Sequence, residues 1–248
     1  MIELVDVVKG FDGKNVIDRL SLTIPKGKIT AIIGLSGEGK SVLLKLLIGL
    51  LHPDSGRILV DGEDIAGMDE HNLARVRRQF GMLFQGAALL DSLTVFDNLA
   101  LPLEEKHDLP PNTISEQVHL VLTEVGLTGV DDKYPDELSG GMKKRVGLAR
   151  ALIMQPKIIL FDEPTTGLDP ITDRAIHKLI KDTQDQFGYT AVIVSHDIPA
   201  IFSIADRVAM IYHGRIVEKG TPEEIQQSVN PIVHQFITGN LEGPIHYA

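Results

Sequence analysis

The sequence predicts an α/β fold, a parallel sheet core covered by helices with a helical lobe inserted into it. Three observations carry that expectation. Apolar strand-like runs alternate with amphipathic helical stretches over most of the 248 residues, the pattern of strands buried on both faces and joined through helices. A glycine-rich loop, Gly34-Leu35-Ser36-Gly37-Glu38-Gly39-Lys40-Ser41, follows one such run and opens into the apolar stretch 42–47. Between Phe84 and Ile158 the alternation lapses.

Strands are expected at residues 4–8, 29–33, 80–84, 158–161, 190–194 and 208–212, each a short aliphatic run. The interval between Phe84 and Ile158 reads as helical. Thr94 and Asp97 form a capping box ahead of a helix, and residues 116–125 place apolar side chains at helical spacing. Asp108-Leu109-Pro110-Pro111-Asn112 reads as a loop within this lobe. Residues 143–152 form a basic helical stretch, and its cluster Lys143, Lys144, Arg145 and Arg150 reads as the wet face of that helix. From Asn230 onward, Pro231, Gly239, Gly243 and Pro244 break up helix, while Phe236, Ile237, Leu241, Ile245 and Tyr247 supply spaced apolar anchors.

Composition narrows the class. With 43% hydrophobic residues the chain can bury a substantial core, and with no cysteine it has neither disulfides nor thiolate metal sites. Met1-Ile2-Glu3-Leu4-Val5-Asp6 carries acid where a secretory signal carries base, and no apolar run approaches the roughly 18 residues that span a bilayer. A soluble, cytoplasmic chain is expected. A formal charge of −10 repels nucleic acid, so no nucleic-acid partner is expected.

The loop 34–41 has the spacing GxxxxGK(S/T) between a buried strand and a helix, which points to a nucleotide triphosphatase. Glycines let backbone N–H groups curl around phosphates, and the following helix aims its positive end at them. Lys40 then reaches the terminal phosphates, and Ser41 holds Mg2+. Gly34-Leu35-Ser36-Gly37 also begins like the GxSxG elbow of serine hydrolases, with Ser195-His196-Asp197 as imaginable partners, but position 38 is Glu38 where the elbow needs glycine. The strand 158–161 delivers Asp162 and Glu163 at its C-terminal end, where open parallel sheets bind ligands. Asp162 is expected to complete the magnesium shell, and Glu163 to polarise the attacking water. Taken alone, two acids after a strand would read as a solvated turn. No histidine pair has metal-ligand spacing, so the only metal expected is the one that arrives with nucleotide.

Leu138-Ser139-Gly140-Gly141-Met142 precedes the basic helix as a second anion-binding helix N-terminus, and on its own would be an ordinary cap. Here it stands ahead of Asp162-Glu163, followed by Thr165-Thr166-Gly167-Leu168-Asp169-Pro170 and Ser195-His196-Asp197. That order of motifs resembles the ATP-binding cassette (ABC) ATPases over nearly the whole chain. The resemblance implies a P-loop NTPase (RecA-like) parallel core with an N-terminal antiparallel β element and an inserted α-helical subdomain. It implies one domain over residues 1–248: a nucleotide-binding core at 1–85 and 158–220, a helical subdomain at 86–157 and a C-terminal extension at 221–248.

By the same resemblance, Gly34, Ser36, Gly37, Gly39, Lys40 and Ser41 bind ATP, and Phe11 stacks on adenine. Gln85 senses Mg2+ and the terminal phosphate. Ser139, Gly140 and Gly141 reach that phosphate from an opposing subunit, Asp169 is the acid between subunits, and His196 positions water and phosphate. The functional unit implied is a homodimer. Long coiled-coil, zinc-bearing or tandem-cassette additions, usual in DNA-handling relatives, are absent, and with the acidity this favours a transporter subunit. Met142 in place of the family's usual glutamine, the segment 83–98 and the ending 236–245 are similar to the ATPases of the Mla and Mce lipid transport systems. This implies phospholipid as cargo, at the cytoplasmic face of a Gram-negative inner membrane. The implied partners are an integral-membrane permease, a small STAS-domain protein and an MCE-domain lipid-binding protein, with the tail lying across the neighbouring subunit. The alternative is a regulatory ATPase that signals through a membrane partner to cell-wall enzymes.

Overall fold

The computed structural model describes residues 1–105 and 109–246, so Asp108 of the expected loop and the Tyr247 anchor lie outside the described residues. In chain order the elements begin β1 (Ile2–Phe11), β2 (Lys14–Ile24), β3 (Ile29–Ile33), α1 (Lys40–Leu47), β4 (Ser55–Val60), β5 (Glu63–Asp64) and α2 (Glu70–Arg77). Next come β6 (Phe80–Leu83), α3 (Val95–Glu104), α4 (Pro111–Glu124), α5 (Gly140–Leu152), β7 (Ile158–Asp162) and α6 (Pro170–Phe187). The chain continues through β8 (Thr190–Val194), α7 (Ile198–Phe202), β9 (Arg207–Tyr212), β10 (Arg215–Gly220), α8 (Pro222–Gln226) and α9 (Pro231–Thr238).

Two compact units result, one of Met1–Arg77 with Thr190–Ala248, the other of Arg78–Tyr189. The first holds an antiparallel sheet in the order β2-β1-β4-β5. It also holds β3 flanked in parallel by β8 and β9, with β10 antiparallel to β9. Both β3 and β8 are buried at every position, which is why they read as unbroken aliphatic runs. The second unit carries the parallel pair β6 and β7 with helices α3 to α6. Helix α3 starts where expected, at a capping box in which Thr94 accepts from the Asp97 amide and Asp97 reaches back.

Four strands were not among those expected: β2, β4, β5 and β10. In β2, Ile17, Leu20, Leu22 and Ile24 are buried while Arg19, Ser21 and Thr23 between them are exposed. One wet face produces alternation, and a search for aliphatic runs passes over it. Two proline-based expectations also change. Pro111 and Asn112 open α4, and Pro231 opens α9, each proline at a first-turn position where its missing N–H costs nothing. Gly239, at φ +68°, ends α9 in the left-handed region, so these residues delimit a helix where they were expected to disrupt one. The Gln235 side chain, 3% exposed, accepts from the Ile245 amide at 2.7 Å and donates to the Ile245 carbonyl at 3.1 Å, seating Ile245 in the same unit.

Candidate functional site

In the first unit, two adjacent parallel strands release functional segments from their C-terminal ends. Ile32 of β3 pairs with Val194 of β8, so the loop 34–41 and His196 emerge side by side. A Cβ on Gly34 would fall 2.4 Å from the Ile211 carbonyl oxygen, so the loop can leave β3 here only as glycine. Gly39, at φ +89°, stands as the N-cap of α1. Lys40, 5% exposed, donates through Nζ to the carbonyls of Gly34 at 2.8 Å and Leu35 at 2.7 Å, which folds its ammonium back over the loop. Ser36, Gly37 and Ser41 are exposed, leaving the outer side of the loop open to a ligand. Glu38 accepts from the His213 backbone amide. His196 is exposed, and the Asp197 amide behind it donates to Ser195 Oγ at 3.0 Å. Phe11 closes β1 opposite Lys14 and is 43% exposed, with the Lys9 ammonium 5.5 Å from its ring centre. An aromatic face left this open is available for stacking.

The second unit repeats the device. Leu83 of β6 pairs with Phe161 of β7, so Gln85 and the Asp162-Glu163 pair emerge from neighbouring strand ends. Gln85 is exposed, and Asp162, half-buried, is the last residue of β7. Glu163 turns to φ +47°, and Thr166 Oγ1 donates to its Oε2 at 2.9 Å, orienting the carboxylate. Ser139 caps α5 by accepting from the Met142 amide at 3.3 Å. Gly140 and Gly141 open that helix, and a Cβ on Gly141 would meet Thr172 at 2.6 Å, so the first turn of α5 lies against the first turn of α6. There Asp169 caps α6, accepting from the Ile171 and Thr172 amides and from the Thr172 hydroxyl at 2.6 Å. The Thr172 hydroxyl and amide bonds hold its carboxyl below the usual carboxylate range.

Sequence reasoning misplaced one cluster. Lys144 is 5% exposed, not on a wet face, and its Nζ donates to the Gln85 carbonyl. Arg145 donates to the Val125 carbonyl at 2.7 Å, and Arg150 to the Ala87 carbonyl at 2.9 Å. The signal was present: Gly147 sits between Lys144 and Arg150 on one side of α5, and a glycine inside a helix marks a close approach.

The first loop fits a polyphosphate. A buried ammonium, Gly34 and Gly39 whose Cβ positions are filled, and a helix N-terminus supply positive charge and backbone donors without bulk. Within the first unit the Ser41 hydroxyl, and within the second the Gln85 side-chain amide and the Asp162 carboxylate, are hard oxygen donors of the type that suits Mg2+. No helix among the described residues is long and apolar enough to cross a membrane.

Comparison with known proteins agrees with this chemistry. The profile of the family described as ABC transporter matches residues 17–166. The chain is 43% identical over 247 residues to the intermembrane phospholipid transport system ATP-binding protein MlaF of Escherichia coli K12, covering 100% of this chain and 92% of that protein. It is 42% identical over 244 residues to the probable ribonucleotide transport ATP-binding protein mkl of Mycobacterium tuberculosis, covering 98% of this chain and 68% of that one. Among solved structures, a dimeric post-hydrolysis ATP-binding cassette bound to ADP and Pi is similar at a TM-score of 0.81 and 30% identity. That match covers 90% of this chain and 99% of the other.

Proposed function

The chain belongs to the ABC transporter family, and from that membership we propose that it is the ATP-hydrolysing motor of a transporter that moves phospholipid between the inner and outer membranes of a Gram-negative envelope. The observation that carries the lipid assignment is the 43% identity to a phospholipid-transport ATP-binding protein along the entire chain. Lys40 and the amides of residues 34–41 hold the phosphates, and Phe11 stacks on the base. Glu163, oriented by Thr166, takes the proton of the attacking water, while His196 and Gln85 fix water and terminal phosphate. Ser41, Gln85 and Asp162 would hold Mg2+, which would supply charge neutralisation for the phosphates when bound.

Ser139, Gly140 and Gly141 act on the nucleotide of a second copy, with Asp169 at the contact, so the working unit is a homodimer. ATP closes it and hydrolysis releases it. The segment from Gln85 to Pro102, which opens the helical subdomain 86–157, forms part of the seat of an integral-membrane permease, which holds the motor at the cytoplasmic face of the inner membrane. Residues 1–85 and 158–220 form the nucleotide-binding core, and 221–248 an extension. A small STAS-domain protein and an MCE-domain lipid carrier complete the assembly.

The test is to purify the chain with its native membrane partners and identify bound small molecules by mass spectrometry. Copurifying phospholipid, displaced during ATP turnover, is the expected result. Copurification of a nucleotide cargo with no lipid would overturn the lipid assignment.

A further inference from the structure

Lys144 is the one buried ammonium on α5, and nothing in the reaction scheme above uses it. Helix α5 lies unusually close to the end of β6, because a Cβ on Gly147 would stand 2.6 Å from Leu83 and 3.2 Å from the Ala87 Cβ. That approach brings Lys144, one turn earlier, within bonding reach of the Gln85 carbonyl, and Arg150, about one turn later, within reach of the Ala87 carbonyl. The segment being gripped is bent, with both Ala87 and Ala88 at positive φ, +61° and +49°. The charge of Glu163, at the other strand end, is also felt at Lys144. Burial pushes its ammonium below the ordinary lysine range, and the charge of Glu163 pulls it back up.

We propose that Lys144 is a positioning residue for hydrolysis, whose buried ammonium fixes the turn at Gln85 and acts by its charge on the Glu163 carboxylate, coupling both strand ends to the helix that begins at Ser139. The inference rests on the reading of Glu163 as the base. It accounts for a charge that would otherwise be costly to bury, and it gives the Ser139 end of α5 a short mechanical route to the hydrolytic groups.

The test uses the full chain in its transport complex, comparing Lys144→Met, Lys144→Gln and Lys144→Arg with Glu163→Gln. For Lys144→Met, ATP affinity should stay within about 2-fold while kcat falls about 10-fold or more, in the range of a lost positioning contact. Lys144→Arg, which keeps charge and donors, should recover several-fold over Lys144→Gln, which keeps a donor only. On the Glu163→Gln background, Lys144→Met should slow single turnover by less than about 3-fold, since coupled residues are not additive. A folded Lys144→Met variant with wild-type kcat overturns the proposal, as does a loss confined to ATP affinity. Should the Met variant not fold, equal kcat in the Gln and Arg variants overturns it. Normal turnover in Glu163→Gln would instead sink the reading of the site, independently of Lys144.

Discussion

Glu163 sits one residue past β7 at φ +47°, a backbone region that costs a side-chain-bearing residue about 1–3 kcal/mol unless its surroundings enforce it. Here the enforcing contacts are local: the Thr166 amide and hydroxyl both bond back to Glu163. Replacing Glu163 with Gln keeps size and hydrogen bonding but removes the proton acceptor. ATP binding should survive while steady-state hydrolysis falls by about 100-fold or more, the range for losing a positioned base. Lys40→Ala acts earlier in the cycle, because it deletes a buried ammonium from the phosphate loop. Nucleotide affinity itself should fall at least about 10-fold, read by titration with a fluorescent ATP analogue; unchanged affinity would mean the loop is misread. These residues were legible in the sequence because glycines, a lysine and strand-end acids at fixed spacing have few other uses. Lys144 was not, because an amphipathic reading assigns lysine to solvent, and only the close approach at Gly147 shows otherwise.

At the scale of elements, the buried parallel strands β3 and β8 were legible residue for residue, while β2 and β10 were missed because each keeps a wet face. The tail shows the same difficulty in another form. Its prolines and glycines read as breaks, yet α9 is capped by Asn230, whose side chain accepts from the Ile232 amide, and ended by Gly239. What sequence could not supply was the partner of Ile245, a buried glutamine ten residues back. Ending the chain at Thr238 removes a buried Ile and leaves the Gln235 amide without these partners. The expected loss is about 2–4 kcal/mol, from the transfer of one aliphatic side chain and about two hydrogen bonds. Denaturant unfolding of matched full-length and truncated chains checks it; coincident midpoints would place the tail outside the folded unit.

For the whole molecule, the account demands that one nucleotide be worked on by two copies. Pairing a Lys40→Ala subunit with a Ser139→Arg subunit puts both lesions in one composite site and leaves the other intact. Placing both substitutions in one subunit beside a wild-type copy damages each site once. The first arrangement should retain roughly half the wild-type hydrolysis if the sites act independently, and the second much less. Activity that depends only on the number of lesions would refute the shared site. The claim that joins chemistry to function is that hydrolysis at Glu163 moves phospholipid, and it is tested most directly by reconstituting the complete complex in donor vesicles. Transfer of labelled phospholipid to acceptor vesicles would be followed with ATP, for wild type and Glu163→Gln side by side. The account predicts transfer that requires ATP and falls with hydrolysis in the variant. Undiminished ATP-dependent transfer by Glu163→Gln, or wild-type hydrolysis with no lipid movement, would contradict it.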